Sequence, residues 1–511
     1  MARLRWSVGA AVGLLSAGVA LAVAQLVAAF VGELASPMVA VGEAAIDAAP
    51  PWVRDFAIRT FGEKNKLALL IGIGVLLGTF AVVIGILAIR RPWVGFAGLI
   101  GFGLIGLAAA LTRPTADSLS AVPSIVGMAA GAWALRLLIL RTGAGVRLKG
   151  ATDSPLAFDR RRFLVAGLAL GGSAAVAGLG SQVAGRATSK ATASRASLRI
   201  PSPTDASPTP SGADLRTPGL SPFYTPNSEF YRVDTAIIVP KVAAQDWRLR
   251  IHGMVDREIE MDLAQLLARP LIERDITLTC VSNEVGGSYI GNARWVGAAL
   301  SPILEEAGVH PEATQIASRS ADGFTVGTPT AVVMDGRDAM LAVAMNGEPL
   351  PLAHGFPVRM IVPGLYGYVS ATKWVVDLEL TTFEAFDAYW IRRGWAQQAP
   401  IKTMSRIDTP RSGARLKAGL VPVAGVAWAQ HRGIQTVEVR VDSGDWVQSR
   451  LAQEDTIDTW RLWLYEWEAL PGRHTIEVRA TDGAGAVQTG DSAPPQPDGA
   501  TGWHAIVVNI S

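Results

Sequence analysis

Hydrophobic and polar residues are distributed in two regimes along the 511-residue chain, with long unbroken apolar runs early and short alternating ones late. Five early runs, Trp6 to Val31, Leu67 to Ile89, Trp93 to Leu111, Ala121 to Leu140 and Phe163 to Ala184, each reach the roughly 20 residues that a helix needs to cross a bilayer. They predict an all-α transmembrane bundle of about five helices over 1–189. From Ser181 to Pro222 the chain turns to Ser, Thr, Pro, Ala and Gly, the composition of an extended tether without a core of its own, so 190–222 is expected to be a linker.

Beyond Phe223 the period changes. Strand-like runs at Arg248 to Ile251, Ile276 to Thr279, Arg359 to Val362 and Lys373 to Leu380 alternate with short helical ones at Asp262 to Ala268 and Ala299 to Ala307. This predicts an α+β domain with long functional loops over 223–398. After Ile401 the helical pattern stops, and alternating strands at Val421 to Trp428, Thr436 to Val441, Trp460 to Trp467, His474 to Ala480 and His504 to Ile510 predict a β-sandwich over 399–511. An immunoglobulin-like sandwich suits this spacing, although the Cys, Trp, Cys hallmark is missing.

Charge adds an orientation. Arg3, Arg5, Arg90, Arg91, Arg141, Arg147, Lys149 and Arg160 to Arg162 flank the spans on one side, against Arg54, Arg59, Lys64, Lys66 and Arg113 on the other. The positive-inside rule then puts the N-terminus in the cytoplasm. With five spans, everything after Ala184 is expected outside, on a multi-pass protein of the cell membrane. The run Asp159-Arg-Arg-Arg-Phe-Leu164 resembles a twin-arginine export signal, though internal; three arginines anchoring a helix end would read the same way. All six histidines lie beyond residue 250, and no Asp, Glu or Lys sits mid-span, so the bundle offers neither haem ligands nor the ionisable path of a pump. Formal net charge is only +2, with no basic patch interleaved with aromatics in the C-terminal half, which gives a nucleic-acid partner no support.

The lone cysteine, Cys280, forbids an intrachain disulfide. It closes the run Ile276-Thr-Leu-Thr-Cys280 and opens a loop in which Gly286, Gly287 and Gly291 would let the backbone approach a bulky ligand. Taken alone it reads most simply as an inert core thiol. It would equally suit a soft or borderline metal, with further ligands coming from a cofactor or from distant residues. As a nucleophile it lacks a histidine nearby in sequence to act as base.

An ordered series of motifs adds to this reading: Asn227-Ser-Glu-Phe-Tyr-Arg-Val-Asp234, Leu278-Thr-Cys-Val-Ser-Asn283, Trp295-Val-Gly, Ser320-Ala-Asp-Gly323, Asn346-Gly-Glu-Pro-Leu-Pro351, His354-Gly-Phe-Pro-Val-Arg359, Val362-Pro-Gly and Lys373-Trp374. Residues 223–511 resemble, in this order, the sulfite oxidase family of molybdopterin enzymes, whose C-terminal immunoglobulin-like domain is often used in dimerisation. The resemblance implies a molybdenum–molybdopterin cofactor, with Cys280 as the sulfur ligand to the metal and catalytic residue. It further implies that Asn227, Phe230, Tyr231 and Ser320 line the cofactor, that His354 and Arg359 grip the pterin and its phosphate, and that Ser370, Thr372 and Lys373 form a phosphate cradle. Animal members carry arginines just after the cysteine to hold an anionic substrate, whereas this chain reads Asn283-Glu284-Val285-Gly286. Arg232 and Arg294 are candidates to compensate, with Arg232 expected at the reacting centre. The expected substrate is a small oxyanion or an S- or N-oxide. No Cys-x-x-Cys-His is present, so electrons are expected to pass to a separate cytochrome or quinone-linked partner. A membrane-tethered binding or adhesion protein with a cofactor-free version of the fold is the alternative.

Overall fold

The computed structural model describes residues 2–61, 65–113, 116–141, 190–208 and 210–511. It divides into two compact units, Met1–Ser189 with Thr235–Val239, and Lys190–Asp234 with Pro240–Ser511.

In the first unit, helices α1 (Ala2–Val31), α2 (Pro37–Ala48), α3 (Pro51–Phe61), α4 (Asn65–Arg90), α5 (Pro92–Leu111) and α6 (Val122–Arg141) follow in order. Four helical segments among the described residues, Trp6–Val31, Asn65–Arg90, Pro92–Leu111 and Ser118–Arg141, are long and apolar enough to cross a membrane. They coincide with the first four expected spans. The fifth, with Arg160 to Arg162 ahead of it, lies outside the described residues. Between the first two spans, α2 and α3 are helices too short to cross, which the run-length criterion passed over. Where spans meet, small residues let backbones approach: a Cβ on Gly13 would fall against the Ala81 carbonyl of α4. Val12, Ala88, Ala134 and Leu138 are fully buried there, while Leu67, Ile71, Val75 and Leu76 of α4 point outward, each more than half exposed.

The second unit begins where a tether was expected. Lys190–Ser197 forms α7, and Asp205–Ala206 forms β1, which pairs in parallel with Ile272 and Glu273. Arg195 donates to the Leu350 and Pro349 carbonyls and pairs with Glu348 at 2.9 Å, and Ala213 is 2% exposed within the core. The stretch 190–222 is therefore laid along the folded unit. Composition misled here because backbone pairing, Arg195 and scattered apolar side chains such as Leu198, Ile200, Leu215 and Leu220 fix the segment without a periodic pattern.

Ten further strands follow: β2 (Arg248–Gly253), β3 (Ile259–Asp262), β4 (Leu271–Thr279), β5 (Ile290–Ala299), β6 (Gln315–Ser320), β7 (Thr325–Pro329), β8 (Met340–Met345), β9 (Glu348–Pro349), β10 (Arg359–Ile361) and β11 (Val375–Thr381). They make two sheets, ordered β1-β4-β5-β8-β10, with β9 on β8, and β3-β2-β11-β6-β7. Helices shrink to α8 (Leu263–Leu267), α9 (Leu300–Ala307) and α10 (Thr330–Val333), so the expected α+β domain is mostly sheet. The two expected helices are correctly located. Asp262 caps α8 by accepting from the Gln265 N–H while the Gln265 side chain returns to Asp262, and Gly308 ends α9 in the left-handed region at φ 69°. Trp247, Trp295 and Trp374 are at most 1% exposed, each worth about 2–3 kcal/mol of burial. Their indole N–H groups donate to Val375, Ile276 and Leu352 carbonyls.

The C-terminal strands are β12 (Met404–Thr409), β13 (Arg415–Leu416), β14 (Gly419–Trp428), β15 (Ile434–Val441), β16 (Val447–Gln448), β17 (Arg450–Leu451), β18 (Arg461–Ala469), β19 (Gly472–Asp482) and β20 (His504–Ile510). They form sheets β12-β14-β18-β17 and β13-β20-β19-β15-β16. Alternation puts Val437, Val439, Ile476, Val478 and Val508 against Val423 and Trp463 of the other sheet, all fully buried. Met404, Val426, Trp428, Trp460 and Leu462 instead join one core with Leu249, Ile316 and Leu378 of the preceding domain. The boundary near residue 399 thus separates two sheet systems that share a hydrophobic core.

Candidate functional site

Strand β4 pairs with β5 along its whole length, from Leu271↔Ala298 to Thr279↔Ile290, and delivers Cys280 at the point where the pairing ends. Cys280 is 9% exposed. Its N–H donates to the Tyr289 carbonyl at 2.9 Å, and its carbonyl accepts from Asn283 N–H at 3.0 Å. The Asn283 side chain then accepts from Tyr289 N–H at 2.8 Å, which closes the loop. Burial pushes the Cys280 thiol up, while the Ser282 N–H pointing at its sulfur (3.4 Å) and the nearby Lys373 ammonium pull the other way.

The loop glycines serve the protein and not a bulky ligand. Gly286, at φ +76°, lies on the His504 ring, Gly287 faces Asn283 Oδ1, and a Cβ on Gly291 would come 2.8 Å from the Phe230 ring. The expected open backbone is filled by the chain's own side chains.

Phe230 stacks on Tyr231 with ring centroids 5.3 Å apart and meets Trp295 and His354 edge-on. His354 is 6% exposed, and its Nε2 lies 3.2 Å from the Asn227 carbonyl, an acceptor only, so that nitrogen carries the proton. Burial, with Arg359 and Lys373 close by, holds its pKa down to about 4 and the ring neutral at pH 7. Arg359 is 5% exposed, donates from Nη1 to the His354 carbonyl at 3.2 Å, and lies 5.1 Å from the centre of the Trp295 ring. Burial presses its pKa down to about 10. Lys373 is pressed down to about 8, first by burial and further by Arg359 and Arg232, against the support of Asp234 at 2.7 Å. Arg232 shares that carboxylate at 2.7 Å and is 31% exposed. Tyr231 is pushed upward by burial and by Cys280, with Arg359 opposing, and Tyr366 is pushed up to about 12, chiefly by burial.

Of the expected residues, Asn227, Phe230, Tyr231, His354 and Arg359 are linked by the contacts above, Arg232 and Lys373 share Asp234, and Tyr231 and Lys373 lie within electrostatic reach of the Cys280 thiol. Ser320, 3% exposed at the end of β6, leaves its hydroxyl unpartnered among the described residues, as Arg359 does its Nε. Ser370 and Thr372 spend their hydroxyls on the fold, on the Leu365 and Tyr366 carbonyls and on Ser318 respectively. Arg294 is elsewhere, locked on Asp275 by two bonds of 2.8 and 2.7 Å, and takes no part. Asp234, Trp295, Asn283 and Tyr366 belong to the cluster but were not singled out from sequence. All but Tyr366 lie inside motifs quoted above.

Such a cluster suits a buried anion. Two desolvated cations, a neutral imidazole and unpaired polar atoms beside a soft thiol are what a phosphate-bearing, metal-carrying cofactor would satisfy.

Comparison with known proteins points the same way. Residues 236–390 match the family model of the oxidoreductase molybdopterin binding domain. Mitochondrial sulfite oxidase of Drosophila melanogaster is 31% identical over 319 residues, 52% of this chain and 55% of that protein; the Mus musculus enzyme is 29% identical over 61% of this chain and 66% of its own length. The chain thus spans between about half and two thirds of these relatives. An uncharacterized oxidoreductase of Bacillus subtilis, YuiH, is 34% identical over 149 residues, 29% of this chain and 72% of YuiH. In fold, the sulfane dehydrogenase SoxCD of Paracoccus pantotrophus aligns with a TM-score of 0.50 at 24% identity, covering 57% of this chain and 84% of that one. On these grounds the chain carries a molybdopterin-binding oxidoreductase domain of the sulfite oxidase family.

Proposed function

We propose that the chain is a membrane-anchored molybdenum oxidoreductase that moves an oxo group to or from a small sulfur or nitrogen oxo-compound, with Cys280 as the protein's ligand to the metal. The observation that carries the reading is buried Lys373 within electrostatic reach of the lone thiol, together with buried Arg359, whose Nε, like Ser320 Oγ, has no partner among the described residues. When bound, the molybdenum pterin supplies two-electron oxo exchange between Mo(VI) and Mo(IV), with water as source or sink of oxygen.

The chain's own residues divide the remaining work. Arg359 and Lys373 neutralise the phosphate of the cofactor, and neutral His354 offers a hydrogen-bonding face without adding a third charge. Asn227, Phe230 and Tyr231 wall the pterin, with Phe230 braced by Trp295. Arg232, the most exposed of the three cations, faces an arriving oxyanion while Asp234 holds its guanidinium. Likeness to sulfite oxidases favours a sulfur oxyanion. Exposed Glu284, in place of an arginine, favours a neutral S-oxide or N-oxide. The four described spans support the membrane anchor, and the fifth, Phe163 to Ala184, is what would carry the catalytic unit outside. The C-terminal sandwich is proposed to be immunoglobulin-like and available for a homodimer, with electrons passing to a separate cytochrome or quinone-linked partner.

The test is metal and pterin analysis of the full chain purified after growth with molybdate. It is followed by turnover of sulfite with ferricyanide, and of dimethyl sulfoxide or trimethylamine N-oxide with reduced viologen. About one molybdenum per chain and turnover on one side are expected, and Cys280→Ser should abolish that turnover. A chain without stoichiometric molybdenum, or a Cys280→Ser variant with every function intact, would leave the cofactor-free binding protein as the better reading.

A further inference from the structure

Only β5 pairs with the last part of β4. On its other edge β1 stops at Glu273, so residues 275–279 have no neighbouring strand among the described residues. The C-terminal sandwich fills that edge. Thr277 N–H donates to the Asp458 carbonyl at 3.0 Å, and Trp460 N–H donates to the Thr277 hydroxyl at 2.7 Å. The Gln430 amide donates at 3.0 Å to both the Thr277 carbonyl and the Thr279 hydroxyl, one residue before Cys280. Gln430 is fully buried with its Oε1 unpartnered among the described residues. A buried orphan of this kind costs stability, so general packing is a poor reason for a glutamine here.

The same domain holds the far side of the loop. Arg406 Nη1 donates to the Gly287 carbonyl at 2.7 Å while its own Nε is fixed by Asp408 at 2.6 Å. His504, whose Nδ1 accepts from Ile407 N–H at 3.0 Å, is the ring on which Gly286 rests. The thiol therefore sits between two points gripped by residues more than a hundred positions away in sequence.

We infer that Gln430 and Arg406 are positioning residues for Cys280: the C-terminal sandwich sets the end of β4 and the loop after it, and through them where the sulfur is presented. The inference rests on the proposed role of Cys280 as metal ligand. It makes the sandwich a working part of the site.

The test uses the full chain, cofactor-free and molybdenum-loaded, in four forms: parent, Gln430→Leu, Arg406→Ala and Arg406→Lys. Arg479→Met serves as a control that weakens the same domain at its Glu438 pair, away from the loop. Hydrogen exchange of amides 281–289 in the cofactor-free chain should speed up about tenfold in Gln430→Leu and Arg406→Ala, the change expected on losing a buried hydrogen bond. Arg406→Lys should recover part of it, and Arg479→Met should show none. In loaded protein of equal molybdenum content, the thiolate-to-molybdenum absorption band should shift and kcat should fall more than KM rises. Unchanged exchange in 281–289, or a parent-like band in the loaded variants, overturns the inference. A parent chain that takes up no molybdenum overturns the functional reading instead, and exchange alone then decides the clamp.

Discussion

Replacing Arg359 with Met separates a cation kept for an absent anion from one that holds the fold. Burial lowers its pKa to about 10, so that keeping the charge at neutral pH costs about 3 kcal/mol. Against this stand its bond to the His354 carbonyl, about 1.5–3 kcal/mol for a charged donor, and its contact with the Trp295 face, about 1 kcal/mol. The terms nearly cancel, so Arg359→Met should leave the cofactor-free chain within about 1 kcal/mol of the parent, a change in Tm of about 3 °C or less. Losing one partner of an ordinary buried ion pair costs about 3–5 kcal/mol. The difference should emerge only on loading, where molybdenum and pterin retention should collapse in the variant. Thermal unfolding of full chain from hosts with and without pterin synthesis measures both arms. A cofactor-free variant that melts about 10 °C or more below the parent would refute the reasoning, because Arg359 would then be structural.

Three further outcomes are expected. The neutral state of His354 makes stability fall with acid: unfolded chain takes up the proton below about pH 6.5 and the folded ring only near 4, so up to about 3 kcal/mol present at pH 7 is lost across that window, and His354→Gln should flatten this slope in urea midpoints between pH 4 and 7. Asp455 behaves oppositely. Burial and neighbouring Asp275 raise its carboxyl to about 7, so the folded chain holds a proton that the unfolded one gives up above about pH 4, and stability declines as pH rises from about 4 to about 7; Asp455→Asn should remove the decline across that window. Gly291→Ala drives a methyl to 2.8 Å from the Phe230 ring and should cost about 1–3 kcal/mol by urea unfolding, with molybdenum retention falling in parallel.

What could be read from the sequence was what local physics fixes. Four spans follow from run length, and β14, β15, β18, β19 and β20 from alternation, because one face of each is buried. Cys280 at a strand end, His354, Arg359 and Lys373 were visible as an ordered set; in the fold Arg359 bonds the His354 carbonyl and Lys373 lies within electrostatic reach of Cys280. Less legible was anything set by pairs remote in sequence. Lys373 meets Asp234 across 139 positions, and Gln430 meets Thr279 across 151. Nothing in the composition of Asn227 to Asp234 tells whether its carboxylate faces solvent or a lysine. The glycines of the loop were misread for the same reason: a glycine announces that something comes close, and here Phe230, Asn283 and His504 do so from three different segments. Likewise the Ser, Thr and Pro content of 190–222 says nothing of β1, whose backbone ladder on β4 is joined by the pair of Asp205 with Arg274.

The assembly has a consequence for when the site can exist. Its parts come from the segment before β2, the β4–β5 turn, the loops around β10, and the C-terminal sandwich, which shares one core with the domain it supports. None of these segments alone brings Lys373 near Cys280, and folding desolvates Arg359 with no carboxylate against it among the described residues, whereas Lys373 has Asp234 at 2.7 Å. A ligand present at a thousand times its dissociation constant adds about 4 kcal/mol to the folded state. That is of the same order as the roughly 3 kcal/mol spent on burying Arg359. Loading and folding are therefore coupled, and an anion-bearing cofactor would complete a charge balance that the polypeptide leaves open at Arg359.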